Sequence, residues 1–228
     1  MARPAKQRTE TQFWAFVSDS RIKAPGWQRK PLLDNDGLSR NDLINRYYKI
    51  LHNQIGLDAD ISIYIDGNVE IIASLDHLIK EFVDSGASIG LSMHPQRKTI
   101  VEEAGALKKL KKFKADDESR CEEQLKEILD AGFPVEFGLF AGGVIFRRHD
   151  CWQLNSAMEE WWSTVNRFTA RDQLSLPYII WRHQLQLHRF YFNILEPNEW
   201  FVRKTHWAPF WKKSASFLKA IVKRRLCR

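Results

Sequence analysis

Short apolar runs that end abruptly in polar residues alternate along this chain with longer amphipathic stretches, a pattern that an α/β layered fold satisfies. ISIYI (61–65), SIGLSM (88–93) and VIFRR (144–148) read as strands, as do residues 13–17 and HRFYFNIL (188–195). Between them, Leu43, Ile44, Tyr47, Tyr48 and Leu51 recur at helical spacing behind a cap at Ser39, and residues 74–83 read as a helix ended by Gly86. Residues 118–131 form a helix stopped by Gly132 and Pro134, and Ser156 with Glu159 reads as a capping box opening a helix through Trp161, Trp162 and Val165. A further helix comes after Asp172, its first turns limited by Pro177. Neither an internal repeat nor a low-complexity linker divides the chain, so one domain is expected.

Composition narrows the class. Nine Trp and fourteen Phe in 228 residues carry too much apolar area for a disordered chain. No uncharged apolar run approaches the roughly 18 residues a bilayer crossing needs, and the basic start MARPAKQRTETQ leads into no apolar targeting region. The expected location is therefore cytoplasmic. Cys121, Cys151 and Cys227 are odd in number and widely spaced, which argues against a disulfide framework or a structural zinc site.

The net charge of +7 sits at one end, because residues 212–228 carry seven Lys and Arg and no acid while the first 211 residues are neutral. Within that end Trp211, Ala215, Leu218 and Val222 recur at helical spacing, with Phe217 and Ile221 widening the stripe. Two readings stand: a helix lying peripherally on the anionic inner face of a membrane, or a terminal helix docked on the core with its lysines in water. The neutral body disfavours nucleic acid as a partner. The run KKLKKFK (108–114), with acids directly after it, reads as a solvated helix face.

In open α/β sheets, ligands sit beyond the carboxyl ends of the strands. ISIYI runs into Asp66-Gly67-Asn68, SIGLSM into His94-Pro95-Gln96-Arg97, and VIFRR into His149-Asp150. If the three strands are parallel, these loops share one rim. Carboxylate, amide, imidazole and guanidinium groups would then converge, a set that suits Mg²⁺ or Mn²⁺ bound to a diphosphate with arginines neutralising further charge. Taken singly, each has a plainer role: Asp-Gly-Asn is ordinary turn chemistry, and Arg147 and Arg148 read as surface charge.

The segments SIYIDGNVEI (62–71), HPQRKTIVEEA (94–104), GLFAGGVIFRRH (138–149) and RFTARDQLSLPY (167–178), in this order and spacing, resemble the glycosyltransferase-like family of plants and bacteria first described as a domain of unknown function. Residues 16–19 resemble its Phe-Thr-Asp step. The resemblance implies a single-domain glycosyltransferase A-like α/β/α sandwich with a mostly parallel central sheet, spanning residues 13–206 between a polar segment (1–12) and the basic amphipathic helix (207–228). It implies a nucleotide-sugar donor and a glycan or lipid-linked acceptor, with a role in bacterial surface polysaccharide synthesis.

Carried over by position, Asp66 and Asn68 occupy the Asp-x-Asp slots and hold Mn²⁺ or Mg²⁺, with His206 as a late metal ligand. Asp19, Asp66, His94, Arg97, Arg148 and Arg171 are the expected donor-binding residues. Asp172 and Gln173 are the expected catalytic pair, Asp172 as general base if the anomer inverts, or both as polar groups facing the sugar if it is retained. Two departures accompany the likeness: Asn68 is a neutral metal ligand, and only about a dozen polar residues precede Phe13, where the family usually carries a base-binding strand and loop. The second leaves open a shortened member, another mode of base recognition, or lost activity. Two other functions use the same features: a nonenzymatic protein gripping anionic lipid or RNA through the tail, and a metal-dependent hydrolase on the same rim.

Overall fold

The computed structural model describes residues 1–19, 21–32, 41–113 and 116–204; the expectations for His206 and the basic tail lie outside the described residues. Two parallel strands, β1 (Trp14–Val17) and β2 (Gln28–Pro31), form a small sheet of their own. Helix α1 (Asn41–Ile50) leads to β3 (Ile61–Ile65) and β4 (Val69–Ile71), and α2 (Asp76–Asp84) to β5 (Ile89–Met93). Then come α3 (Ile100–Lys109), α4 (Asp117–Asp130), the long β6 (Phe140–Arg148), α5 (Trp152–Arg167), α6 (Leu176–Arg182), β7 (Leu187–Phe190) and β8 (Phe201–Arg203).

The central sheet has the order β3-β6-β5-β7. β6 is antiparallel to both neighbours while β7 is parallel to β5, so β3, β5 and β7 share one direction and β6 opposes them. Apolar alternation fills both faces. Ile89, Leu91 and Ile145 pack with α5 and α6 on one side, and Val144, Phe146 and Phe190 pack with α2, β4 and β8 on the other. Each fully buried large apolar side chain contributes about 1.5–3 kcal/mol relative to leaving it exposed. Gly90 lies on the second face because a Cβ there would come within 2.8 Å of the Phe190 ring. The result is the expected α/β/α sandwich.

Three local expectations are corrected. The strand read at 144–148 begins at Phe140, since Gly142 and Gly143 lie inside it. Helix α5 starts at Trp152, so Ser156 sits within it and no capping box forms. HRFYFNIL pairs only as far as Phe190, and β4 and β8 form a separate two-stranded sheet. The polar segment 1–12 is docked: Ala5 N–H donates to Ile71 O at 3.1 Å, the Trp27 indole N–H to Ala2 O at 2.9 Å, and the Arg8 and Thr9 amides to the Asp76 carboxylate at 2.9 and 2.8 Å.

Candidate active site

The site is built around a fault in one strand. β5 and β6 pair Leu91 with Ile145 and then Ser92 with Ala141, so Gly142, Gly143 and Val144 bulge out of that ladder. Asp66, one residue beyond β3, donates its amide to Gly143 O at 2.9 Å. A Cβ on Gly143 would stand 3.4 Å from Asp66 Oδ2, and one on Gly142 would stand 2.8 Å from Lys49 Nζ and 3.5 Å from Asp172 Oδ2. The absence of side chains at the two glycines leaves room for one carboxylate each, Asp66 beside Gly143 and Asp172 beside Gly142.

The carboxylates differ in state. Asp66 Oδ1 accepts the Tyr64 hydroxyl at 2.8 Å, whereas its Oδ2 takes no hydrogen bond among the described residues. Asp172 is buried, paired with Lys49 Nζ, and 3.1 Å from Arg46 Nε. Burial pushes its carboxyl up, but the Lys49 and Arg46 charges and the Lys49 hydrogen bond outweigh this and hold it below the usual carboxylate range. Asp172 is therefore ionised and doubly neutralised, a poor proton acceptor. Next to it, Gln173 Nε2 donates to Phe140 O at 3.0 Å.

From Phe140 the contacts continue to the next loop, since His94 N–H donates to Leu139 O at 2.8 Å. His94 Nδ1 accepts the Gln96 and Arg97 amides at 3.2 and 3.1 Å, and Arg97 Nη2 lies 2.8 Å from its Nε2. Burial first, and then the Arg97 charge, lower the imidazole pKa to about 4. Arg97 is pinned by Nε to Glu103, buried on α3. One run of contacts thus joins Asp66, Gly143, Gly142, Asp172, Gln173, Phe140, His94 and Arg97.

The structure does not bring Arg148 or the His149-Asp150 step to this rim. Because β6 opposes β3 and β5, its carboxyl end lies at the far edge, where His149 N–H donates to Asp60 O at 2.8 Å and Arg148 donates to Val83 O and Ala87 O. Arg147 is not surface charge either. It shares the α1 side of β6 with Ile145, is fully buried, and its Nη1 donates to Lys49 O at 2.8 Å and Ile50 O at 3.3 Å, closing the last turn of α1.

The family model for the TOD1/MUCI70 glycosyltransferase-like domain matches residues 38–206. The chain belongs to this family. No curated protein matches it. The crystal structure of mouse xyloside xylosyltransferase 1, apo form, is similar over 64% of this chain and 51% of its own, at 17% identity and a TM-score of 0.39. The chain thus spans about half the length of that structure.

The TOD1/MUCI70-like span holds the whole contact run and leaves Asp19 outside it. Asp19 sits beyond β1, where Arg21 grips both its carboxylate oxygens and lowers its pKa. Arg171 is turned outward, its guanidinium donating to Lys112 O. Asn68 O accepts from Lys204 N–H at 2.7 Å, and its side-chain amide takes no hydrogen bond among the described residues. No group of three His, Cys, Asp or Glu side chains placed to hold a metal occurs among the described residues. Arg46 and Lys49 are site residues that the strand-end rule passes over, because they lie on a helix ahead of β3 rather than in a loop beyond it. The signal available was two cations, three apart, on the helix whose apolar stripe meets the sheet.

Proposed function

We propose that this chain transfers a sugar from a nucleotide-diphosphate donor to a glycan or lipid-linked acceptor. The observation that carries this reading is a pair of carboxylates beside adjacent glycines, Asp66 at Gly143 with an open oxygen and Asp172 at Gly142 locked by two cations. Cleavage of a glycosyl diphosphate builds negative charge on phosphate and positive charge on the sugar. Lys49 and Arg46, held by Asp172, supply fixed positive charge beside the leaving group. Gln173, tied at Nε2 to Phe140 O, is left with its amide oxygen to face the sugar.

Asp66 Oδ2 and the Asn68 side-chain oxygen are hard donors with no protein hydrogen bond among the described residues, which fits Mg²⁺ or Mn²⁺, ions bound by one or two carboxylate-type ligands and completed by phosphate oxygens and water. Such a cation would neutralise diphosphate charge. The cationic amphipathic sequence of 207–228 supports a lipid-linked acceptor at an anionic membrane surface, as in surface polysaccharide synthesis.

Calorimetry of a nucleoside diphosphate with Mn²⁺ tests the reading. Binding is expected for the wild type and is lost in Asp66→Ala; equal binding by the two proteins overturns it.

A further inference from the structure

The strand period places Tyr64 and Asp66 on the same face of the chain, two residues apart, toward α1. The Tyr64 ring packs on the α5–α6 side of the sheet with Lys49 Nζ 5.5 Å from its centroid. Its hydroxyl lies 2.8 Å from Asp66 Oδ1 and 3.3 Å from Asn45 Oδ1. A phenol has one proton to donate, and the shorter, charge-assisted contact takes it.

The outcome is directional. With Oδ1 occupied, the carboxylate cannot rotate freely, and Oδ2 is left over the Gly143 position, where a Cβ would stand at 3.4 Å. We infer that Tyr64 is a positioning residue, whose hydroxyl holds the Asp66 carboxylate so that Oδ2 faces the bound cation and diphosphate. This rests on the reading that Asp66 holds a cation. Partners that orient a ligating carboxylate from behind commonly change metal affinity by about 10–100-fold when removed.

The test is Mn²⁺ binding in the presence of inorganic pyrophosphate, measured by electron paramagnetic resonance on the full chain, for wild type, Tyr64→Phe, Asp66→Ala and the control Tyr47→Phe. Tyr47 loses a hydroxyl that, among the described residues, hydrogen-bonds only Gln54, at 3.3 Å in the turn just after its own helix. Tyr64→Phe is expected to weaken Mn²⁺ binding about 10-fold while keeping the melting curve of the wild type, with Tyr47→Phe unchanged. Wild-type affinity in Tyr64→Phe, alongside no binding by Asp66→Ala, overturns the positioning role and leaves the donor-site reading standing. An equal loss in both tyrosine variants also overturns it, since the effect is then general. Undiminished binding by Asp66→Ala removes the cation from Asp66, and the inference goes with it.

Discussion

Lys49 is held at both of its ends. Its Nζ lies against Gly142 and pairs with Asp172, while its carbonyl accepts Arg147. Removing the ammonium leaves a buried carboxylate with only Arg46 beside it, and breaking a buried pair from one side costs about 3–5 kcal/mol. Lys49→Met is therefore expected to lose about 3 kcal/mol in denaturant unfolding, the low end of that range because Arg46 remains, and Asp172→Leu added to it should restore part of the loss. At this scale the sequence was half legible. Asp66, His94, Arg97 and Gln173 stood out by their motifs, and they do lie along one rim. Lys49, Arg46 and Tyr64 did not, because nothing local says that a helical lysine will bury its tip against a glycine on a strand much later in the chain.

Helix α1 and strand β6 are coupled through a single guanidinium. Arg147 is cationic at neutral pH although burial lowers its pKa to about 10, and its charge meets the negative end of the helix and the free carbonyls of its last turn. Replacing it by leucine removes those donors while keeping the bulk of the side chain apolar. Arg147→Leu is expected to cost about 1–3 kcal/mol by thermal or denaturant unfolding, with the loss of order seen first as faster amide exchange in the turn ending at Ile50. The VIFRR run showed a strand but not its sense, and the sense decides which side of the sheet its polar end reaches. Direction is set by the crossover chain and the partner strands, and local periodicity carries neither. That is why Arg148 and His149 were expected beside Asp66 and lie at the opposite edge.

Among the described residues of the whole molecule, three histidines are held neutral. His94 has its pKa lowered to about 4 by burial and Arg97, His52 to about 2 by burial, Arg147 and His149, and His149 is lowered by burial and Arg147. In the unfolded chain each takes a proton near pH 6.5. Below that pH the unfolded state binds more protons than the native one, so stability is fully present above about 6.5 and is lost as the pH falls toward each native pKa, by up to about 1.4 kcal/mol per unit for each group. Denaturant unfolding at stepped pH should show this decline, and His52→Asn should flatten it. Among the described residues no helix is long and apolar enough to cross a membrane. The family was recognisable in the sequence because its segments between 62 and 178 keep their spacing; the two-stranded β4–β8 sheet was not, because strands of three residues are too short to show a period.

The strand that opposes its neighbours links two distant places in the fold. Its early glycines lie beside Asp66 and Asp172, and a few residues on it clamps the backbone of the lysine whose tip returns to those glycines. Loop, helix and strand therefore close a ring of contacts that runs from one edge of the sheet to the other.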